Sequence, residues 1–422
     1  ASDVYKRQIF MRVLFFSNKP IDKENIYNGE GWIYSLINEM KEVPDITIAV
    51  AFWGSSVFKG ELEGLTYYQI KNLRKNNIII KGVNNIRLLF GDYKKKERKE
   101  WDYYKEKLKQ VVDDFMPDII HVFGSEQQLG LVSSVTEIPV LLHIQGLLNP
   151  IYNALLPPFF SWNRIISWFR PIEAIKILVN KRKYEIDAFR EQEILKNIDY
   201  FLGRTYFDKA VTRCFNPLSK YYYCSEALRS VFYEKNNRYV PRKLKIVSTI
   251  SHPYYKGYDN ILKTAYVLKK YINIDFEWCV YGNINPNIIE KIVGISHANV
   301  CVHLQGVVDA NTLKNEILSA TCYFHPSHID NSPNGLCEAQ ILGVPVLACN
   351  VGGVSSLIDN GNTGFLVPDN DPYQASYIIK LLYEDVLLNE TIGCNSKAAA
   401  IKRHEKTSIV SSLINIYREI KE

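Results

Sequence analysis

An α/β architecture is expected from the residues, with two doubly wound domains facing each other across a cleft. Three observations point to it. Short apolar runs such as "MRVLFFS", "DIIHVFG", "KLKIVSTIS" and "VPVLACN" recur along the chain, with amphipathic or charged stretches of helical length between them. The runs are continuously apolar rather than alternating, as strands covered on both faces of a parallel sheet are. The series runs once from Met11 and begins again near Lys243, after a linker, "NNRYVPR", that carries Pro241. A length of 422 residues suits two domains of ordinary size.

The elements follow in order. "MRVLFFS" is a strand, and Met11 is read as the natural start, with residues 1–10 a remnant outside the fold. "NGEGWIYSLINEM" is a glycine-bearing loop that opens a helix, and "ITIAVAFWG" is a second strand. "TYYQI" and a long charged helix follow, its lysines Lys94, Lys95, Lys96 and Lys99 forming a solvated face with Arg98. "DIIHVFG" is a strand, then come a short helix and the strand "IPVLLHIQG". "YFLGRTYFDKA" and "KYYYCSEALRSVFY" resume the strand–helix pattern. In the second series "KLKIVSTIS", "IDFEWCVYG", "VCVHLQG", "TCYFHPS" and "VPVLACN" are strands, separated by the helices of "YDNILKTAYVLKKY", "NPNIIEKIVGI", "NTLKNEILSA" and "GLCEAQILG". "SIVSSLINIYREI" is a final helix. Loops of two to six residues after most strands are those such units prefer. A cleft at the carboxyl ends of the strands is the default ligand site.

Composition narrows the classes. Hydrophobic residues are 47% and charged residues 23%, enough for packed cores and against wholesale disorder. The net charge of +6 suits anionic partners such as phosphates or lipid headgroups, and no nucleic-acid motif accompanies it. Eight cysteines form no CxxC and several sit in apolar runs, so they are expected as reduced, buried thiols, without a metal site. No apolar run reaches a membrane-spanning length. Residues 147–183 are aromatic, proline-broken and end in a basic cluster. They read either as core helices or as a surface that presents Phe159, Phe160, Trp162, Trp168 and Phe169 to a membrane or a hydrophobic acceptor.

The stretch "HIDNSPNGLCEAQILGVPVLACNVGG" concentrates the chemistry. Asp330 to Gly335 form a loop that opens a helix, and Gly343 closes that helix. A helix start offers free amides and the positive end of its dipole to a ligand. The Glu338 carboxylate, in the first turns, can accept hydrogen bonds from vicinal hydroxyls such as those of a ribose, and Asp330 can hold sugar hydroxyls. Gly352 and Gly353 allow another backbone turn to come close. The bland alternative is that both acids only cap the helix.

The segment "PSHIDNSPNGLCEAQILGVPVLACNVGGVSSLIDNGNTGFLVPDND" resembles the carboxyl-terminal signature of the retaining glycosyltransferases of family 4 (glycosyl transferases group 1), of surface-polysaccharide type. The matching parts are Asp330, Glu338-Ala339, Gly343 with Pro345-Val346, Gly352-Gly353 and "TGFLV". The resemblance implies a GT-B fold, two Rossmann-like domains facing a central cleft. It divides the chain into 11–242 on the acceptor side, 243–398 binding the nucleotide-sugar, and 399–422 as a helix crossing back. It implies that Glu338 binds the donor ribose and that Asp330, where most members carry Glu, stands near the transferred sugar. Asn331, Ser332, Pro333 and Asn334 would line that sugar. "SHPYYKG" is similar to the family's Lys-Gly element, so Lys256 is the candidate partner of the diphosphate, where a cation stabilises the leaving anion. Thr249 stands where many members carry an arginine, which leaves Arg204 and Lys256 as the cations to examine.

In the amino-terminal half, Gly29 and Gly31 of "NGEGW" match the family's glycine-rich loop near the donor phosphates. Gln145 occupies the place of a family histidine, and His143, two residues earlier, shares its side of the strand; either can contact the transferred sugar or acceptor, and His143 can equally be a core residue. His121 is expected to point toward the cleft, with Glu126 in the following loop as a polar partner. Asp330, Lys256, Glu338, His143 and Gln145 form the candidate catalytic set. The implied reaction is front-face transfer of a sugar from a nucleotide-diphosphate sugar, UDP- or GDP-linked, to a glycan or lipid-linked acceptor, with no cofactor and no metal. The expected place is the cytoplasm, with loose contact to the anionic inner membrane face. The rival readings are a nucleotide-sugar epimerase of the same fold and a non-catalytic nucleotide-sugar-binding protein.

Overall fold

Continuous apolar runs become strands whose successive side chains enter opposite layers. Leu14 and Phe16 pack in one core while Met11, Val13 and Phe15 pack in another on the far face of the same sheet. The strands are β1 Met11–Ser17, β2 Ile46–Gly54, β3 Phe58–Leu62, β4 Leu65–Lys71, β5 Ile119–Phe123, β6 Val140–His143, β7 Tyr200–Gly203 and β8 Lys220–Tyr223. They form one sheet in the order β3-β4-β2-β1-β5-β6-β7-β8, in which only the β3–β4 pair is antiparallel. The second sheet has β9 Leu244–Thr249, β10 Phe276–Tyr281, β11 Val302–Gly306, β12 Cys322–His325, β13 Val346–Cys349 and β14 Phe365–Val367. Its order is β11-β10-β9-β12-β13-β14, with every pair parallel. Ile246 and Val247, adjacent in β9, again fall into cores on opposite faces. The structure is a computed structural model and describes residues 10–18, 32–62, 64–73, 89, 92–158, 161–168 and 171–422.

The described helices are α1 Trp32–Lys41, α2 Tyr93–Phe115, α3 Leu148–Asn153, α4 Trp162–Trp168, α5 Pro171–Lys196, α6 Tyr206–Phe215, α7 Tyr258–Val267, α8 Asn287–Val293, α9 Ala310–Leu318, α10 Asn334–Ile341, α11 Pro372–Glu384, α12 Val386–Arg403 and α13 Lys406–Lys421. Side-chain caps set several starts. Asp92 accepts from the Lys95 amide at α2, and Thr205 and Asp208 form a reciprocal capping box at α6. Ile409, Leu413, Ile416, Tyr417 and Ile420 make one stripe of α13. That stripe packs with Val13, Phe15 and Phe123 of the first sheet, so the chain's last helix returns to the first layer.

Some expectations change. The short helix after β5 is a 3-10 turn, Gln128–Ser134, and "SEALRSVFY" yields only the 3-10 turn Ser230–Tyr233. The reason in the second case is polar: Glu226 and Arg229 are drawn into ion pairs with residues distant in the chain, which fixes irregular backbone. Leu228 and Phe232 pack in a core of the second sheet. Cys224, Cys279, Cys322, Cys337 and Cys349 are buried free thiols, but Cys214 and Cys394 are exposed and Cys301 is half-buried. Residues 147–183 contain α3, α4 and the first half of α5. Of their aromatic residues, Phe159, Phe160 and Phe169 lie outside the described residues, as do Gly29 and Gly31.

Candidate active site

The second sheet reverses its winding at β9. The chain leaves β9 for β10 and β11 on one side and returns as β12 on the other. Loops that leave adjacent strands in opposite directions open a crevice at the carboxyl edge. Lys256 stands in the loop after β9 and Asp330 in the loop after β12, and the two meet there: Lys256 Nζ is 2.5 Å from Asp330 Oδ2. Gly257 (φ 71°) lets the lysine loop lie against the end of β12, since a Cβ would sit 1.9 Å from the Pro326 carbonyl oxygen. The His328 amide donates to the Tyr255 carbonyl at 2.8 Å and fastens the two loops together. His325 Nε2 lies 3.0 Å from the same Asp330 oxygen, out of line for a hydrogen bond. Burial alone would raise the Asp330 pKa, but the Lys256 charge and His325 override it and hold the carboxyl far below its usual range. For His325, burial outweighs Asp330 and lowers its pKa.

The loop then enters α10 through Pro333. Helix geometry leaves its first amides without intrahelical partners, and Asn334 is exposed there. Glu338, one turn further, is buried and held bidentately by Arg229, with Nε and Nη2 each 2.7 Å from a carboxylate oxygen. Burial pushes the Glu338 pKa up, and the guanidinium works against that. Each oxygen gives one lone-pair direction to Arg229 and keeps another for a hydroxyl. Thr249 Oγ1 is 2.5 Å from the Tyr323 hydroxyl, beside the start of α10.

Asn331 and Ser332 face the first sheet. Asn331 Nδ2 donates to Asp208 Oδ2 at 3.0 Å and to the Gln145 carbonyl at 3.3 Å, and Asn331 Oδ1 accepts from Thr205 Oγ1 at 2.6 Å. Ser332 Oγ donates to Glu226 Oε1 at 2.9 Å. Tyr206 N donates to Ser356 Oγ at 3.1 Å. These contacts bring the Gln145 loop next to the Asp330 loop across the two sheets.

The remaining predicted residues divide. Arg204 is buried, 3.2 Å from Glu226 and donating to the Ile144 carbonyl at 2.9 Å, so its charge is paired within the junction and does not meet Lys256. His143 is buried in the first core, edge-on to Trp32 with ring centroids 4.9 Å apart, and its Nδ1 is 3.3 Å from His121 Nε2. Burial holds its pKa well below the usual value, so it is a neutral ring. His121 corrects an expectation: it does not turn to the cleft but lies fully buried, 2.5 Å from the Tyr417 hydroxyl of α13. Arg229 and His325 were missed by sequence reasoning. His325 was visible as a strand-end histidine before Pro326, but nothing local marks Arg229, whose partner is 109 residues away.

Among the described residues, Glu226, Cys337 and His404 place ligand atoms within 4.8 Å of one another. The Arg204 guanidinium already stands at Glu226, and burial pushes the Cys337 thiol far up, so this cluster is built as an ion-paired junction.

The architecture is the GT-B fold. A structure of sucrose-phosphate synthase from Thermosynechococcus elongatus is similar with a TM-score of 0.69 at 15% identity, over 97% of this chain and 99% of that one. Anabaena Alr3699/HepE in complex with UDP and glucose is similar with a TM-score of 0.59 at 15% identity, over 96% and 99%. Residues 233–399 match the family model described as glycosyl transferases group 1, and Lys256, Asp330 and Glu338 all fall inside that span. D-inositol 3-phosphate glycosyltransferase from Paenarthrobacter aurescens (strain TC1) is 34% identical over 143 residues, 33% of this chain and 35% of the relative. The capsular polysaccharide biosynthesis glycosyltransferase CapM of Staphylococcus aureus is 28% identical over 162 residues, 38% of each. The alignments thus span little more than a third of these curated relatives' length.

Proposed function

We propose that the chain is a glycosyltransferase that moves a sugar from a nucleotide-diphosphate sugar to a glycan or lipid-linked acceptor in surface-polysaccharide synthesis, with retention at the anomeric carbon. The observation that carries this reading is the meeting of Lys256 and Asp330 at the switch point of β9 and β12. One cation, one acid and a helix start converge there. In this reading Lys256 faces the diphosphate and offsets the charge that grows on it as the glycosidic bond breaks. Asp330 exchanges part of its contact with Lys256 for sugar hydroxyls, and Glu338 offers its two remaining lone pairs to the ribose. Asn334 and the first amides of α10 line the transferred sugar, beside the loop that holds Asn331, Ser332 and Pro333. The acceptor oxygen attacks from the face the diphosphate leaves, and a departing phosphate oxygen takes its proton, so the protein chiefly positions groups. Residues of the first sheet form the acceptor side and those of the second the donor side. The UDP bound by the similar Anabaena protein supports a UDP-linked donor, and the capsular role of the Staphylococcus relative supports the polysaccharide setting.

Donor hydrolysis and transfer by Lys256→Ala and Glu338→Ala test the assignment. Each is expected to lose on the order of 10² to 10³ in rate, as removal of one charge-stabilising group does; near-normal rates in both sink it. Among the described residues no helix is long and apolar enough to cross a membrane. Exposed Ile172 and Ile175 at the start of α5 support loose peripheral contact with an anionic membrane face. Retention on anionic liposomes at low salt checks this, and its complete absence removes the idea.

A further inference from the structure

The first sheet has its own switch point. The chain leaves β1 for β2 on one side and, after β4, returns as β5 on the other. The loops at the carboxyl ends of β5 and its neighbour β6 carry Glu126 and Gln145. Glu126 Oε1 accepts from the Gly146 amide at 2.8 Å. Its Oε2 is buried without a hydrogen-bond partner, and so is Gln145 Nε2. Both atoms gather around Gly124 (φ 86°), where a Cβ would meet Glu126 Oε2 at 2.0 Å and Gln145 Nε2 at 3.5 Å. The missing side chain makes room for the carboxyl group. It leaves an acceptor and a donor side by side, unbonded to each other. An alcohol matches that pair: its oxygen accepts from the amide while its proton is donated to the carboxylate. Gln145 also gives its carbonyl to Asn331, which follows Asp330 in the chain, so the pair borders the donor side of the cleft.

We propose that Glu126 Oε2 and Gln145 Nε2 form the subsite that holds the attacking hydroxyl of the acceptor, an alcohol of a sugar or polyol. The proposal rests on the transfer reading above and deepens it. In the step, the bond from the acceptor oxygen to the anomeric carbon forms, the bond from that carbon to the phosphate oxygen breaks, and the hydroxyl proton passes to the departing phosphate. Glu126 holds the hydroxyl up to that point. Burial raises the Glu126 carboxyl to about 7, with Glu191 adding to the rise and the Gly146 amide and Arg204 opposing it. Tyr255, from the lysine loop, faces the same charge, and Arg190 donates to the Glu126 backbone carbonyl at 2.8 Å. Above that pH the carboxylate is the better acceptor for the hydroxyl.

The test begins with thermal shift against UDP-glucose, UDP-galactose, UDP-N-acetylglucosamine and GDP-mannose to choose the donor. Hydrolysis of that donor, with water as acceptor, and transfer to glycerol are then followed across pH for the wild type, Glu126→Gln, Glu126→Asp and Gln145→Leu. The wild-type rate is expected to rise through about pH 7. Glu126→Gln is expected to lose that rise and to run about tenfold slower above it, with Glu126→Asp restoring part of the pH dependence. Gln145→Leu is expected to slow the reaction while keeping the rise. UDP affinity by calorimetry should stay within about twofold in all of them, the donor contacts being elsewhere. A Glu126→Gln protein with the wild-type rate and pH profile overturns the subsite alone, and unchanged transfer by Gln145→Leu does so if the Glu126 variants do not fold. A wild type that neither binds nor turns over any of the four donors overturns the transfer reading and the subsite with it.

Discussion

At the scale of single residues the site is a set of buried charges whose partners decide their state. His328 shows the principle outside the cleft. Its Nε2 is 2.8 Å from Asp259 and its Nδ1 2.8 Å from Asp369. Burial disfavours the imidazolium, but the two carboxylates outweigh it and raise the pKa to about 9. The folded pKa lies above the unfolded value of 6.5. The stabilisation is therefore complete below about pH 6.5 and is lost as pH rises through about 9. His328→Gln should lower the melting temperature by several degrees near pH 6, from the roughly 3–5 kcal/mol cost of stranding buried charges, and by less near pH 10; an equal deficit at both pH values contradicts the charge assignment. Residue-scale legibility was uneven. Asp330 and Lys256 stand in loops that follow strands and Glu338 in the first turns of a helix, all in recognisable surroundings, so their grouping could be read from the chain. Arg229, the guanidinium that holds Glu338, could not, because only the folded chain brings it there.

At the scale of elements, period decided what could be read. Apolar runs gave the main strands because both faces of each are covered. Edge strand β3, with Phe58 exposed and Lys59 and Glu61 beside it, lacks that run and was not foreseen. The closing helix α13 was legible from its apolar spacing, and its burial makes a sharp prediction. Leu413 is fully buried against the first core. Leu413→Ala should cost roughly 2–5 kcal/mol in denaturant unfolding, through lost burial and the cavity left behind. A loss under about 1 kcal/mol would mean that the helix contributes little to the first core.

At the scale of the whole molecule, hydrogen bonds tie the loops of the two sheets together. Asn331 alone makes three of those hydrogen bonds, to Thr205, Asp208 and Gln145. Asn331→Ala should therefore loosen the two halves. In solution scattering without nucleotide, its radius of gyration should exceed that of the wild type, and addition of the donor should reduce the difference. Equal radii in both states contradict this role. The cleft itself was legible, since two βα series predict facing switch points, but its closed contacts were not, because they depend on amides and hydroxyls with no periodic signal. The most direct measurement of the central claim is a crystal structure with UDP bound. The diphosphate is expected within hydrogen-bond reach of Lys256, with the ribose hydroxyls on Glu338. A well-ordered UDP bound elsewhere, with Lys256 still closed on Asp330, would contradict it.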